Sequence, residues 1–186
     1  MSSNQQVTDY IYYYPNALDS KICNNIINHY DTNAKWKQSS FSTHNKNTGT
    51  SKVVMDEYWI PEEGSYVQDL QKAFSKIGDD YANTMDHLRF GAYTMFRLNR
   101  YSGGGFMKQH IDSIHHSHGQ QYGYPHCTSL IFLNDNYDGG EFVLCGNKSI
   151  EKKQGSGIVF PSNFMYPHEV KEVSNGTRFS VMTWIM

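Results

Sequence analysis

The feature that most constrains the fold is a series of short β-forming runs that fills the second half of the chain. From about residue 90 onward, eight runs are separated by Gly, Asn, Asp and Pro, at residues 92–101, 106–112, 127–133, 140–144, 148–151, 156–160, 166–172 and 177–185. Short strands spaced by about 8–12 residues are typical of an antiparallel sandwich, jelly roll or barrel. Strands and helices do not alternate here, which excludes a doubly wound parallel sheet.

Two amphipathic helices are predicted ahead of this β-rich region. Apolar residues recur three and four positions apart over 17–31, and Asn16 or Asp19 supplies a capping side chain. The same spacing continues over 62–85, where Pro61 and the two acids after it suit a first helical turn.

The segment between the predicted helices differs from both. Residues 37–52 are polar, rich in Ser, Thr and Asn, and follow neither period, so they are predicted to form a mobile loop. Residues 53–60 are β-branched and aromatic enough for a strand, which would make the loop the tip of a β-finger. The tyrosine-rich residues 10–14 are predicted as an opening strand packed on the barrel, since no Lys or Arg interleaves them for base stacking.

These patterns together predict a fold that is mainly β with flanking helices. An N-terminal helical and β-finger extension, 1–89, is expected to pack on a β core, 90–186, within one structural domain. The composition agrees, because 186 residues fit one domain and 38% hydrophobic residues with 18% charged residues can bury a core.

Charge and composition exclude several classes of partner. The formal net charge is −2, so no overall positive field draws nucleic acid or an anionic membrane to the protein. No stretch approaches the roughly 18 apolar residues of a membrane span. The three widely spaced cysteines offer neither a disulfide framework nor a paired zinc site. Since the N-terminus also lacks a secretory pattern, a cytoplasmic protein is expected.

Two glycine-rich motifs are predicted to be turns rather than nucleotide sites. Residues 102–105, Ser-Gly-Gly-Gly, lack the Gly-Lys-Ser/Thr ending of a phosphate loop and precede no helical pattern. Residues 138–141, Asp-Gly-Gly-Glu, are interpreted as a hairpin turn.

Polar residues in the β-rich region indicate a metal and carboxylate site. His110 and Asp112 are two positions apart in a predicted strand and so face the same side. A His-x-Asp sequence is expected about 0.5 times by chance in such a chain, but the distant His168 completes the two-histidine, one-carboxylate triad that holds Fe(II) with open positions. Arg178 and Ser180 share one face of the last predicted strand, where a guanidinium suits a second carboxylate. Taken singly, His168 could equally be a half-buried histidine whose hydrogen bonds are satisfied, and Arg178 could be an ordinary residue of a surface ion pair.

A second group of histidines is an alternative metal site in principle: His115, His116 and His118, with His126 beyond. The segment offers no carboxylate and no regular element to fix the ligand geometry. It is therefore interpreted as a polar loop.

The ordered motifs resemble the Fe(II)- and 2-oxoglutarate-dependent oxygenases, and among them the prolyl 4-hydroxylase-like branch. The resemblance covers roughly residues 93–186, about half the chain. It rests on blocks in family order and spacing: RYSGGGFMKQHID at 100–112, TSLIFLN at 128–134, GGEF at 139–142, GIVFP at 157–161, and HEV at 168–170 with RFSVMTW at 178–184.

This resemblance implies a double-stranded β-helix, a jelly-roll, cupin-like barrel with the metal at its open mouth. In the implied site, His110, Asp112 and His168 bind Fe(II). Arg178 holds the distal carboxylate of the co-substrate 2-oxoglutarate. All four residues are therefore expected to be essential for catalysis.

The resemblance also assigns supporting residues. Tyr101, Thr128 and Ser180 are expected to help Arg178 bind 2-oxoglutarate. Met107, three residues before the first histidine of the triad, and Trp184 are expected on the substrate side of the site.

The implied activity is hydroxylation of a C–H bond, coupled to decarboxylation of 2-oxoglutarate by O₂, with ascorbate as a reductant. The implied partner is a protein or peptide that contains proline, and the loop at 37–52 resembles the finger that closes over a peptide in prolyl hydroxylases. Two alternatives stay open. One is an oxygenase of the same family that acts on a small molecule, and the other is a non-enzymatic, cupin-like metal-binding module.

Overall fold

The computed structural model describes residues 6–39, 52–113 and 124–186. Within these ranges the chain forms a short 3₁₀ helix, two α-helices and fourteen strands. In chain order the elements are the 3₁₀ helix Val7–Tyr10, β1 Tyr12–Tyr14, α1 Ser20–Asn33, β2 Lys37–Gln38, β3 Val53–Val54, β4 Asp56–Trp59, α2 Val67–Asn83, β5 Arg97–Tyr101, β6 Phe106–His110, β7 Cys127–Phe132, β8 Asp138–Gly139, β9 Phe142–Leu144, β10 Lys148–Ile150, β11 Gly157–Pro161, β12 His168–Val170, β13 Val173–Asn175 and β14 Arg178–Ile185.

Most strands belong to two antiparallel sheets. The larger sheet has the order β1-β11-β7-β14-β5-β4-β2, and the smaller has the order β10-β9-β12-β6-β3. Each of the eight predicted runs overlaps one strand: β5, β6, β7, β9, β10, β11, β12 or β14. Four of these strands lie in each sheet, so the chain crosses repeatedly between the sheets, as in a double-stranded β-helix. The predicted jelly roll is confirmed.

The alternation of side chains along the larger sheet divides the buried residues into two clusters. On β7, Leu130 and Phe132 face the space between the two sheets, whereas Ile131 faces the opposite side. The inner cluster joins residues of both sheets. The outer cluster joins the back of the larger sheet to α1 and α2, for example through Ile26 and Phe74. The inside of the barrel is thus separate from the surface on which the helices pack.

The predicted strand at 53–60 is divided between the two sheets. Around Met55 the chain changes sheets, so that β3 pairs with β6 in the smaller sheet and β4 pairs with β5 in the larger one. β2 pairs with β4 at the base of the predicted finger. Residues 40–51, which make up most of the predicted loop, lie outside the described residues. The opening strand predicted in the tyrosine-rich segment is confirmed, because β1 pairs with β11.

The two helices begin differently from each other. α1 starts as expected after Asp19, whose carboxylate accepts a 2.8 Å hydrogen bond from the amide of Lys21. α2 begins at Val67, so the predicted start at Pro61 is wrong. Residues from Pro61 to Gly64 instead form a tight turn, with a 2.8 Å backbone hydrogen bond, and Tyr66 is left-handed at φ 66°. Neither helix of the described ranges has the length and apolar character needed to cross a membrane.

The two glycine-rich motifs also have different outcomes. Residues 102–105 form the predicted turn between β5 and β6, closed by a 2.7 Å hydrogen bond from the amide of Gly105 to the carbonyl of Ser102. The hairpin predicted at 138–141 is wrong. Asp138–Gly139 pairs instead with β13, and a Cβ at Gly139 would lie 2.2 Å from the carbonyl oxygen of Glu172. Close approach of two backbones therefore requires this glycine.

Candidate metal and co-substrate site

The three residues of the predicted triad lie together where β6 ends and β12 begins. His110 is the last residue of β6, and His168 is the first residue of β12. The two strands are antiparallel neighbours, and these histidines face each other directly in the register. Asp112 follows two residues after β6 and turns back toward both rings.

The potential ligand atoms of the triad converge on one point. Nε2 of His110 lies 3.6 Å from Oδ1 of Asp112, and Nε2 of His168 lies 3.5 Å from Oδ2. All three ligand atoms lie within 4.8 Å of one another. These separations are close to those that one divalent ion spans with ligand bonds of about 2.0–2.2 Å. The donor set suits Fe(II) and would leave coordination positions open.

Backbone carbonyls orient both imidazoles. Nδ1 of His110 lies 2.9 Å from the carbonyl oxygen of Lys108, and Nδ1 of His168 lies 3.1 Å from that of Tyr166. Donation from Nδ1 fixes the tautomer in which the Nε2 lone pair can bind a metal. Burial, followed by the neighbouring His168, lowers the pKa of His110 to about 4. His110 is therefore neutral at physiological pH, as a metal ligand must be.

Asp112 is held by hydroxyl groups. Oγ1 of Thr128 donates a 2.6 Å hydrogen bond to Oδ2 of Asp112 and lies 2.8 Å from Oγ of Ser162. All three residues are buried. Although burial alone raises the pKa of Asp112, the two neighbouring imidazoles and the Thr128 hydroxyl outweigh it, so that the pKa lies below its usual value. Asp112 is thus a carboxylate that is ready to bind a cation.

Arg178 is fully buried inside the barrel at the start of β14. Nη1 donates a 3.0 Å hydrogen bond to Oγ of Ser180, and the guanidinium carbon lies 5.1 Å from the ring centre of Tyr101 and 5.3 Å from that of Phe132. The other two nitrogens, Nε and Nη2, have no hydrogen-bond partner in the part of the chain that the structure describes.

The surroundings of Arg178 contain no compensating acid in the part of the chain that the structure describes. None of the ion pairs among the described residues includes this guanidinium. A buried charge with unsatisfied donors is costly, and a ligand carboxylate that accepts two parallel hydrogen bonds is its natural complement. The buried cation therefore fits the distal carboxylate of a dicarboxylic co-substrate such as 2-oxoglutarate.

The residues predicted for the substrate side are both buried among the strands. Met107 on β6 lies opposite Val170 and Val53 of the neighbouring strands. The ring centre of Trp184, on β14, lies 5.8 Å from that of Trp59. Their contact with a substrate stays a prediction.

Sequence reasoning missed several polar residues of the barrel interior. Arg97 lies with its guanidinium carbon 5.0 Å from the ring centre of Trp184 and forms a 3.7 Å ion pair with Glu57. Ser162 contacts Thr128, and Tyr137 lies beside Arg178 with a buried hydroxyl. The alternation of β5 marked Arg97 as inward-facing together with Tyr101, which was the one available signal.

The alternative histidine cluster is largely outside the structural description. His115, His116 and His118 lie outside the described residues. His126 is exposed, and its backbone pairs with Ser162 and Ile185. Among the described residues, the one group of three or more potential metal ligands is His110, Asp112 and His168.

Comparison with known families agrees with this geometry. Residues 96–186 match the family model of the 2OG-Fe(II) oxygenase superfamily. Over these residues, just under half of the chain, the sequence is similar to that superfamily. The match covers every residue of the triad together with Arg178, and it starts one residue before β5.

Individual relatives include hydroxylases. A PKHD-type hydroxylase from Stenotrophomonas maltophilia is 33% identical over 95 residues, which cover 48% of this chain and 41% of the relative. The chain therefore spans less than half the length of that curated relative.

Solved structures show the fold of prolyl hydroxylases over nearly the whole chain. The crystal structure of a prolyl-4-hydroxylase from Pseudomonas putida matches with a TM-score of 0.73 at 17% identity and covers 96% of both chains. A prolyl hydroxylase from Trichoplax adhaerens, solved with a peptide fragment of the hypoxia inducible factor, matches with a TM-score of 0.72 at 20% identity and covers 96% of this chain and 84% of that one. At these identities the likeness concerns the fold.

Proposed function

We propose that this protein is an Fe(II)- and 2-oxoglutarate-dependent oxygenase that hydroxylates a C–H bond, most favourably in a prolyl residue of a protein or peptide. The observation that carries the proposal is the combination of two features in one barrel. A histidine–aspartate–histidine triad converges on a point, and a fully buried arginine that pairs with no acid in the described ranges lies inside the same barrel. One feature fits a metal, and the other fits the carboxylate of the co-substrate.

In the proposed site, His110, Asp112 and His168 hold Fe(II). The carbonyl contacts of both histidines and the hydroxyl of Thr128 orient the three ligands before the metal binds. The bound metal would activate O₂ for oxidation of an unactivated C–H bond, while the barrel excludes water from the reaction. The triad itself neither accepts nor donates a proton in this scheme.

Arg178 is proposed to bind the distal carboxylate of 2-oxoglutarate, with Ser180 holding its Nη1. Tyr101 supports the guanidinium with its ring face. Thr128, whose hydroxyl contacts Asp112, would link the co-substrate end of the site to the metal ligands. Binding the co-substrate therefore orients it and neutralises a buried charge in one step.

The prolyl substrate is supported by the relatives and by the interior of the barrel. The matching structures are of prolyl hydroxylases, one of them with a bound peptide. Trp59 and Trp184 supply adjacent aromatic surfaces, and Met107 adds an apolar wall on β6. Such surfaces suit a pyrrolidine ring, which is apolar and carries no charge.

The proposal is tested by succinate production from 2-oxoglutarate, measured with anaerobically loaded Fe(II) protein to which O₂ and ascorbate are then added. The assay is run with and without a mixture of proline-containing peptides, and the products are analysed by mass spectrometry. We expect peptide-stimulated turnover and a peptide product that carries one added oxygen atom. Asp112→Ala should abolish both, whereas Asp135→Ala, which removes an exposed carboxylate, should leave them unchanged.

The other outcomes separate the alternatives. Slow turnover that no peptide stimulates would refute the prolyl substrate and favour a small molecule. Iron binding without any succinate formation would refute the oxygenase and favour a non-enzymatic metal-binding module.

A further inference from the structure

Tyr137 has a buried hydroxyl group that lies beside Arg178 and has no hydrogen-bond partner among the described residues. The residue is 4% exposed, and its Oη is one of the buried atoms without a hydrogen bond. The ring itself is firmly placed. Nζ of Lys152 lies 4.5 Å from the ring centre and donates a hydrogen bond to the backbone carbonyl of Tyr137.

The side chains of Tyr137 and Arg178 lie against the same glycine. A Cβ placed on Gly140 would lie 3.0 Å from Cε2 of Tyr137 and 3.2 Å from Cδ of Arg178. Gly140 has a φ of 63°, a conformation that favours glycine, so the sequence keeps this space free of a side chain. The phenol and the guanidinium therefore converge from two sides on one part of the barrel interior.

The hydroxyl is suited to donate a hydrogen bond. Burial raises the pKa of Tyr137 above its ordinary value, although the charge of Arg178 opposes this effect. The phenol is therefore protonated at neutral pH. The phenol oxygen could accept a hydrogen bond from one guanidinium N–H, but its own O–H and the other N–H would still be donors without an acceptor. A carboxylate, which accepts through several lone pairs, would satisfy the phenol O–H and the guanidinium together.

We propose that Tyr137 is a second anchor for the distal carboxylate of 2-oxoglutarate: its hydroxyl donates to one carboxylate oxygen while Nε and Nη2 of Arg178 donate to the carboxylate as well. This inference rests on the proposed function, because it assigns a further residue to the same co-substrate.

The consequence is selectivity among 2-oxo acids. Tyr137 would act on the end of the co-substrate that is remote from the metal, so it should discriminate a dicarboxylic acid from a shorter monocarboxylic one. Loss of one hydrogen bond to a charged group weakens binding by about 10- to 100-fold. An acid without the distal carboxylate should not sense the hydroxyl.

The test is the affinity of 2-oxoglutarate and of 2-oxobutyrate for the Mn(II)-loaded protein, measured by anaerobic calorimetry so that no turnover occurs. We compare the wild-type protein with Tyr137→Phe, which removes only the hydroxyl. The expected result is an affinity for 2-oxoglutarate about 10- to 100-fold lower and an affinity for 2-oxobutyrate changed by less than about twofold. Tyr14→Phe is the matched control, because Tyr14 packs in the outer cluster behind the larger sheet.

Thermal unfolding without a co-substrate separates this role from a structural one. Since the hydroxyl has no hydrogen-bond partner within residues 6–39, 52–113 and 124–186, Tyr137→Phe should unfold at the same temperature as the wild type or slightly above it. Unchanged affinity for 2-oxoglutarate, or equal weakening of both acids, would overturn the role of Tyr137 while leaving the proposed function standing. Failure of the wild-type protein to bind 2-oxoglutarate at all would overturn both.

Discussion

Two buried arginines on adjacent strands of the barrel have opposite surroundings. Arg97, on β5, forms a 3.7 Å ion pair with Glu57, and its Nη2 lies 2.9 Å from Sδ of Met182. Its guanidinium carbon also lies 5.7 Å from the ring centre of Trp59 and 5.0 Å from that of Trp184. The protein itself therefore compensates most of this charge.

Arg178, on the neighbouring β14, has a hydroxyl and two aromatic rings around it but no acid among the described residues. It is the more deeply buried of the two arginines. The difference teaches that a cation which serves the fold is paired by the fold, whereas one that serves a ligand is left for the ligand to pair. That inference makes opposite predictions for the same substitution at the two positions.

The largest expected effect is on co-substrate binding when Arg178 is replaced. Arg178→Met removes the partner of a buried carboxylate, so the affinity for 2-oxoglutarate should fall by more than about 100-fold. Fe(II) binding should persist, because the triad does not contact this side chain through any described hydrogen bond or ion pair. Calorimetry with each ligand measures both. Unchanged 2-oxoglutarate affinity would contradict the assignment of the co-substrate site.

The next effect concerns the affinity of the His110, Asp112 and His168 triad for Fe(II) rather than either arginine. Thr128→Val removes the hydrogen bond to Asp112 with little change in shape, and loss of such an orienting contact typically lowers metal affinity by about 10- to 100-fold. Competition with a fluorescent chelator measures the Fe(II) affinity. Thr183→Val is the control, because the buried hydroxyl of Thr183 instead donates to the carbonyl of Thr94. Equal losses of metal affinity in both variants would argue for a general effect on the fold.

A smaller effect, and one on stability, is expected at the paired arginine. Arg97→Met leaves Glu57 without its cation, and since Glu57 is partly exposed, the free energy of unfolding should fall by about 2 kcal/mol. The affinity of the Arg97→Met variant for 2-oxoglutarate should stay within about threefold of the wild-type value. Urea unfolding of the ligand-free protein should show the reverse for Arg178→Met, which replaces an uncompensated buried charge by an apolar chain and should not destabilise the fold. A larger loss of stability at Arg178 than at Arg97 would break the comparison.

The smallest expected effect concerns the contact between Arg97 and the sulfur of Met182. Met182→Leu removes the sulfur acceptor of Nη2 but keeps a similar volume, so the cost should be below about 1.5 kcal/mol. Urea unfolding of this variant and of the double variant with Arg97→Met measures the coupling. Additive losses would show that the sulfur contact contributes nothing specific.

The β-rich half of the fold could be predicted because its signal is local. Each run of β-formers ends at a breaker, and each overlaps one strand, with the largest error at the first run, predicted from residue 92 although β5 begins at Arg97. The start of α2 could not be predicted, because Pro61 suits a helix and a turn equally well. The positive φ of Tyr66 is also not predictable, since tyrosine is not a residue type that favours this conformation. The break near Met55 was equally hidden, because a strand that changes sheets keeps the same composition on both sides.

The site was predicted as far as spacing and resemblance reach. The spacing of His110 and Asp112 and the β-forming context of His168 and Arg178 indicated the four residues, and the resemblance gave them their roles. Asp112 lies two residues beyond the end of β6, so a shared face of one strand is not what brings it to His110. Tyr137 was missed because no sequence motif links it to Arg178. The two residues are distant in the sequence and come together only because the chain crosses between the sheets. Contacts of that kind belong to topology rather than to motifs.

The strands that the N-terminal half contributes bear on where the protein can be divided. The family match begins at residue 96, yet β5 pairs with β4, β6 with β3 and β11 with β1. A fragment that began at residue 96 would expose three unpaired strand edges and the apolar back of the larger sheet to solvent. Such surfaces favour self-association. The boundary of sequence similarity is thus not a boundary of folding, and expression of the recognisable half alone should give insoluble protein.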